Sequence, residues 1–173
     1  MKPVLLIIAP NQFRDEELFE TKEELENAGL ATVIASKQKG TCIGKLGGKA
    51  EATISIEDIQ TKDYEAVAFI GGAGSEVYFN DRKAHDIAWE MYADGKIVGA
   101  ICIAPTILAN AGILKDKKAT VFADGAEQLK SGGAIYTAEA VTKDGLIVTG
   151  NGPASSRAFG KTLAASIQHP EKE

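Results

Sequence analysis

Six short apolar segments recur along the chain, separated by polar, charged and glycine-rich stretches. They cover residues 4–9, 31–35, 66–70, 97–101, 119–122 and 146–149. Each segment is continuously apolar and does not alternate with polar residues, which is typical of strands buried on both faces of a parallel sheet. The pattern therefore predicts six strands of one such sheet.

Helix-like segments lie between most of the predicted strands, and they cover residues 16–28, 82–93, 105–111, 125–130 and 155–167. Glycines near the ends of three of them (Gly29, Gly95 and Gly112) supply the left-handed residue that commonly closes a helix. Alternating strands and helices predict a doubly wound α/β domain with helices on both faces. Because no internal repeat or linker is visible, we expect one domain over residues 1–173.

Two segments depart from this alternation. Residues 41–58 are glycine-rich at first and then alternate, a pattern that predicts a small β-hairpin excursion. Residues 168–173 are polar, and we expect them to form a frayed tail.

Composition and charge narrow the class of protein. The 173 residues are 45% hydrophobic and 25% charged, which excludes disordered and collagen-like chains. With 24 acidic and 19 basic residues the formal net charge is −5, so neither nucleic acid nor an anionic membrane is an expected partner. The apolar run at residues 4–9 is too short for a signal peptide or a spanning helix, and we expect a cytoplasmic protein with reduced cysteines.

Cys102 ends the fourth apolar run, and Pro105 suits the first turn of the helix that follows. Ligands bind at the carboxyl ends of strands in such sheets, so this cysteine is placed on a strand–turn–helix corner like a nucleophile elbow. The helix N-terminus would favour a thiolate, and the N–H groups of Gly72 and Ile103 could stabilise an oxyanion. The alternative is an inert, buried cysteine that acts as a small apolar residue.

Glu17 is the candidate partner of this cysteine, because it begins the first predicted helix just beyond the first strand. A carboxyl group that faces the sheet edge is desolvated, which raises its pKa. In its protonated form it could donate a hydrogen bond to a thiolate or move protons during covalent chemistry. The helix dipole alone also favours acidic residues in a first turn, so position does not distinguish Glu17 from Asp15 and Glu16.

Other reactive groups carry weaker patterns. Cys42, in the glycine-rich excursion, is either an exposed second thiol or a residue without a chemical role. No spacing of His, Cys and Asp residues resembles a zinc site. The segment GGAGSEV fits neither the dinucleotide-binding nor the P-loop pattern. The sequence therefore predicts no metal and no nucleotide cofactor.

Four motifs, taken together, resemble the ThiJ/PfpI superfamily. GAICIAPTILANAGIL resembles its elbow, NQFRDEEL its acidic first helix, AVAFIGGAGS its Gly-Gly oxyanion strand, and KDGLIVTGNGPASSRAFG its C-terminal strand and helix. They follow one another in the order of that family, from about residue 3 to residue 167. The resemblance implies a flavodoxin-like, class I amidotransferase-like fold and a homodimer.

The resemblance implies a role for four positions: Cys102 as the nucleophile, Glu17 as the carboxyl group that bonds to the thiol, and Gly72 and Ile103 as oxyanion donors. Gly71, where a glycine lets the backbone approach a ligand, and Phe122 are expected to line the site. Two of these depart from the family pattern. Ile103 stands where the protease branch has His, and Phe122 stands where another branch has a histidine near the site. A Cys–His–acid triad is therefore not expected.

The function implied by the resemblance is a cofactor-independent cysteine enzyme that acts on small reactive carbonyls, in the manner of a glyoxalase or deglycase. Cys102 would add to the carbonyl carbon and Glu17 would move the protons, with a small-molecule, glycated or peptide substrate. Three alternatives remain. They are a redox-responsive stress or chaperone protein that senses oxidant through Cys102, an intracellular peptidase or amidase, disfavoured by the missing His, and a binding module with an inert cysteine.

Overall fold

A seven-stranded sheet forms the centre of the computed structural model, which describes residues 1–170. The strands are β1 (Val4–Ile7), β2 (Asn11–Phe13), β3 (Thr32–Ser36), β4 (Gly40–Gly44), β5 (Lys49–Ala52), β6 (Ile54–Ser55), β7 (Ala66–Phe69), β8 (Ile97–Ile101), β9 (Lys118–Ala119), β10 (Ile135–Tyr136), β11 (Val141–Asp144) and β12 (Ile147–Gly150). The α-helices are α1 (Asp15–Asn27), α2 (Arg82–Ala93), α3 (Pro105–Ala111), α4 (Ala126–Ser131) and α5 (Ser156–Gln168).

The order of strands in the central sheet is β11-β12-β8-β7-β1-β3-β6. All neighbouring strands are parallel except β11, which runs antiparallel to β12 at one edge. Five of the six predicted strands lie in this sheet, and every α-helix lies within one residue of its predicted bounds. The predicted doubly wound, mostly parallel architecture is confirmed.

Strand β1 shows why the apolar runs are continuous. Leu5 and Ile7 pack into one core, which also contains residues of α2 and α3. Val4 and Leu6 point the other way, into a second core that contains residues of α1 and α5. Because successive side chains of a strand face opposite sides of the sheet, helices on both faces require every position of the strand to be apolar.

The prediction of a central-sheet strand over residues 119–122 is wrong. Only β9 is extended there, and it pairs with β10 in a separate two-stranded sheet. Beyond it the backbone is bonded elsewhere: Thr120 N donates to Thr149 Oγ1 at 2.9 Å and Phe122 N donates to Cys102 O at 2.7 Å. Ala119 and Val121 are nevertheless buried, so the apolar pattern reports burial and not strand pairing.

The predicted hairpin excursion is confirmed as the antiparallel pair β4–β5, which β2 extends to a three-stranded sheet. Asp15 at the start of α1 holds the hairpin turn. Its buried carboxylate accepts hydrogen bonds from Leu46 N at 2.8 Å and Gly48 N at 2.7 Å. The turn is therefore fixed against the first turn of α1.

Helix α5 extends one residue into the segment that was predicted to be a polar tail. It includes Gln168, whose Nε2 donates to Ala28 O at 2.7 Å and so attaches the end of α5 to the end of α1. The predicted tail therefore begins after this residue, and its last part, residues 171–173, lies outside the described residues. No helix within residues 1–170 is long and apolar enough to cross a membrane.

Candidate active site

Three neighbouring strands deliver the predicted site residues to one edge of the sheet. β1 pairs with β7, and β7 pairs with β8, all in parallel. Glu17 lies in α1 beyond β1, residues 71–72 follow β7, and Cys102 follows β8. The topology therefore brings together segments that are distant in sequence, at the edge where open α/β sheets bind ligands.

Cys102 occupies a sharp turn between β8 and α3. Its φ angle is 66°, in the left-handed region that residues with a side chain rarely adopt. Two main-chain bonds hold this conformation: Cys102 N donates to Gly150 O at 2.9 Å, and Cys102 O accepts from Phe122 N at 2.7 Å. The predicted elbow geometry is present, and the backbone fixes the position of the thiol.

Glu17 is completely buried, and its carboxyl group meets Cys102 above Gly71. Its Oε1 accepts a hydrogen bond from Gly71 N at 3.0 Å. A methyl group placed on Gly71 would lie 2.6 Å from both Glu17 Oε1 and Cys102 Cβ, so only glycine leaves room for the two side chains to meet. Glu17 Oε2 is buried with no hydrogen-bond partner in the part of the chain that the structure describes.

Burial raises the pKa of Glu17 to about 7, as the sequence led us to expect. The nearby Cys102 side chain, the hydrogen bond from Gly71 N and the Arg14 charge partly offset this rise. A carboxyl group with this pKa can hold or release a proton near neutral pH, which is what a general acid or base requires.

The thiol does not match the sequence expectation of a simply lowered pKa. Burial raises the pKa of Cys102, and the nearby Glu17 carboxylate raises it further, whereas the N–H groups of Gly72 and Ile103 lower it. Burial is the largest of these effects, so the position of Cys102 before α3 does not by itself lower its pKa. The thiolate is less unfavourable when Glu17 holds its proton, because the repulsion between the two charges is then absent.

Cys102 opens onto a cavity of about 390 Å³. Of the other predicted residues, Gly72, Ile103 and the half-exposed Phe122 line this cavity. Gly71 lies beneath Cys102 and not on the cavity wall, and its lack of a side chain lets Glu17 approach Cys102. No histidine lines the cavity within residues 1–170, and among the same residues no group of three or more His, Cys, Asp and Glu side chains could hold a metal ion.

Sequence reasoning did not assign a role to three charged residues of the cavity wall, namely Arg14, Lys45 and Asp124. Arg14 stands in the acidic motif next to Glu17, so the motif could have indicated it. Lys45 carries no such indication, because only the folding of the hairpin over α1 brings it to the cavity.

Cys42 is not the exposed thiol that the sequence allowed. Only 2% of it is accessible, and it packs in the core with residues of α1 and β1. In the strand β4 it alternates with exposed neighbours, so its side chain faces inward. Its other interpretation, a residue without a chemical role, fits this position.

A profile described as the DJ-1/PfpI family matches residues 2–166. The chain belongs to the DJ-1/PfpI family. The family assignment predicted from the four sequence motifs is confirmed.

Relatives and solved structures agree with this assignment to the DJ-1/PfpI family. An uncharacterized protein of Methanocaldococcus jannaschii is 43% identical over 168 residues, which cover 95% of this chain and 82% of that protein. A protein named Deglycase PfpI, from Pyrococcus furiosus, is 30% identical over 149 residues, 86% of this chain and 90% of that protein. The crystal structure of a ThiJ/PfpI domain protein from Brachyspira murdochii has a TM-score of 0.95 at 31% identity, covering 99% of this chain and 100% of that chain.

Proposed function

We propose that this protein is a cysteine-dependent, cofactor-independent enzyme that converts α-oxoaldehydes and their early glycation adducts to 2-hydroxy acids. The observation that carries the proposal is the meeting of Cys102 with a fully buried, protonatable Glu17 above Gly71. The relative named as a deglycase supports the same class of chemistry.

The first step forms a bond between Cys102 Sγ and the aldehyde carbon of the substrate. The π electrons of the carbonyl group move to its oxygen, which becomes an oxyanion or takes the Glu17 proton. Gly72 N–H and Ile103 N–H, which already lower the thiol pKa, are close enough to stabilise that charge. A substrate whose aldehyde carbon already carries an amine would enter when Sγ displaces the amine.

The second step is a proton transfer within the bound substrate. The Glu17 carboxylate removes the hydrogen from the former aldehyde carbon, and a proton is returned to the adjacent carbon, which leaves a 2-hydroxy thioester on Cys102. Water then attacks the thioester, the C–S bond breaks and sulfur leaves as a thiolate. The substrate oxidises one of its carbons and reduces the other, so the net change is addition of water without an external oxidant.

We expect wild-type protein to convert methylglyoxal to lactate, and in heavy water the lactate should carry deuterium at its second carbon. The proton that Glu17 removes exchanges with solvent while the deprotonated intermediate is bound, so the returned hydrogen comes from water. Proton NMR of the product measures both the yield and the isotope. Lactate without deuterium would contradict proton transfer through an exchanging Glu17.

A redox role is the second candidate function, because the N–H groups of Gly72 and Ile103 that surround the sulfur would also bind the oxygens of a sulfinate. The same samples separate the two candidates. Absence of lactate, together with two oxygens added to Cys102 by peroxide in the mass spectrum, would replace the enzymatic proposal by this one. A peptidase triad finds no support, since no histidine lines the cavity in the described part of the chain.

A further inference from the structure

We propose that Arg14 and Lys45 form a cationic rim on the Cys102 cavity that selects α-oxoaldehydes whose far end carries a carboxylate. This inference rests on the proposed function and adds the substrate class to it. Both side chains line the same cavity of about 390 Å³ as the thiol. Its volume is sufficient for a substrate of a few carbons that reaches from the sulfur to the rim.

Arg14 is held in place from both ends. Its backbone N donates to Gly71 O at 2.9 Å, next to the glycine that separates Glu17 from Cys102. Its guanidinium donates to the Glu16 carboxylate from Nε at 3.0 Å and from Nη2 at 2.9 Å. Within residues 1–170 its Nη1 makes no hydrogen bond, so that nitrogen remains able to donate to a ligand.

Lys45 reaches the cavity because the hairpin turn is fixed. Lys45 N donates to Phe13 O at 2.9 Å, and the Asp15 carboxylate accepts from the following residues of the turn. A side chain on Gly44 would collide with the same carboxylate, so the approach of the turn to α1 is close. The Lys45 ammonium makes no ion pair with any described residue, and its charge is available to a ligand.

The cationic groups of the cavity wall can bind a monoanion. Arg14 and Lys45 are cationic and Asp124 is anionic, and the Arg14 charge is balanced by Glu16, so Lys45 is the cation of the lining without an ion-pair partner among the described residues. Glu16 lies outside the lining and orients the guanidinium through two bonds. The Cys102–Glu17 pair carries at most one negative charge near neutral pH, and the rim also offsets the repulsion between this pair and an anionic substrate.

Alkylation of Cys102 tests the rim without requiring catalysis. Iodoacetate and iodoacetamide are similar in size and differ in charge, so the ratio of their rates reports the charge selectivity of the cavity. We expect this ratio, measured by mass spectrometry of the Cys102 peptide, to be about tenfold higher in the folded wild type than in the same protein unfolded in urea. Lys45→Gln and Arg14→Gln should each lower the ratio several-fold, and Lys45→Glu should lower it most.

Lys49→Gln is the matched control, since Lys49 is exposed in β5 of the same hairpin and does not line the cavity. It makes the same change in net charge as Lys45→Gln and should leave the ratio unchanged. The rim is overturned if the folded wild type shows no higher ratio than the unfolded protein. It is also overturned if Lys49→Gln lowers the ratio as much as Lys45→Gln, because the preference would then come from net charge.

Turnover separates this inference from the proposed function. The anionic substrate 4,5-dioxopentanoate and its neutral analogue 2-oxopentanal have the same reacting group, and we expect kcat/KM to favour the anion by about tenfold. Equal kcat/KM values would contradict the proposed anion selectivity of the rim and would leave the enzymatic proposal unaffected. Anion-selective alkylation without turnover of either compound would contradict the enzymatic proposal and would leave the anion selectivity unaffected.

Discussion

Cys102→Ser is expected to lower kcat/KM for methylglyoxal by more than about 10³-fold while the protein remains folded. A serine hydroxyl is far less acidic than a thiol, so a carboxyl group with a pKa of about 7 cannot supply an alkoxide from it. The side chains are similar in size, and the main-chain bonds of Cys102 to Gly150 and Phe122 do not depend on sulfur. Lactate formation measures the rate, and urea denaturation checks the fold.

Cys42→Ala is the control for this variant. It removes the second thiol from a buried position in β4 that is not part of the cavity lining, and it should leave the turnover of methylglyoxal intact. The nucleophile assignment would be contradicted if Cys102→Ser retained a tenth or more of the wild-type kcat/KM. It would also be contradicted if Cys42→Ala were the inactive variant.

Glu17→Gln is expected to lose activity and gain stability above neutral pH. Glutamine keeps the hydrogen bond from Gly71 N but cannot transfer protons, and removal of a general acid–base group typically lowers the rate by about 10²–10⁴-fold. The buried carboxylate that glutamine replaces has an oxygen, Oε2, without a partner in residues 1–170. In the proposed mechanism this carboxyl group moves protons, which would account for a destabilising group at this position.

The sign of the pH dependence follows from the raised pKa of Glu17. Because burial raises this pKa from 4.5 to about 7, the folded protein binds the proton more tightly than the unfolded chain. The resulting stabilisation is complete below pH 4.5 and is lost as the pH rises through about 7. Glu17→Gln should therefore exceed the wild type by about 3 kcal/mol in the free energy of unfolding at pH 8, and differ little at pH 4.

Urea denaturation at the two pH values measures this difference. Glu76→Gln, at an exposed position outside the cavity, is the control and should match the wild type at both. A Glu17→Gln variant that is no more stable than the wild type at pH 8 would show that the buried carboxyl group is not destabilised by ionisation.

The sequence predicts the strands correctly where an apolar run reflects burial of both faces of the sheet. Strands such as β1 and β8 are apolar throughout because both faces carry helices, and α1, α2 and α5 present one apolar side. Residues 119–122 are equally apolar but cover the elbow and do not pair in the central sheet. An apolar run reports that water is excluded and does not report which partner excludes it.

The first turn of α1 shows what sequence reasoning could not resolve. Asp15, Glu16 and Glu17 are chemically similar neighbours, and only the resemblance to a family singled out the third. In the structure each side chain has a different partner, because Asp15 binds the hairpin turn, Glu16 binds Arg14, and Glu17 meets Cys102. The hairpin turn and Cys102 come from distant parts of the chain, so local sequence carries no information about which carboxyl group reaches them.

The direction of the shift in the Cys102 pKa also could not be predicted from the sequence. The position of Cys102 before a helix suggested a lowered pKa, but burial and the Glu17 carboxylate raise it. The raised pKa of Glu17 offers a physical resolution, because a proton held by Glu17 near neutral pH removes the carboxylate charge that raises the pKa of Cys102. The N–H groups of Gly72 and Ile103 lower the same pKa and favour the thiolate in that state.

Proton sharing between Cys102 and Glu17 is tested most directly by the ultraviolet absorbance of the thiolate as a function of pH. Both the wild-type site and Glu17→Gln are measured in a Cys42→Ala background, so that only one thiol contributes. We predict that the wild-type absorbance does not follow a single titration, because the pair loses one proton near pH 7 and the other at higher pH, and each loss changes the fraction of thiolate. Glu17→Gln should show a single rise at a pH clearly above 7; identical curves for the two proteins would contradict the pairing.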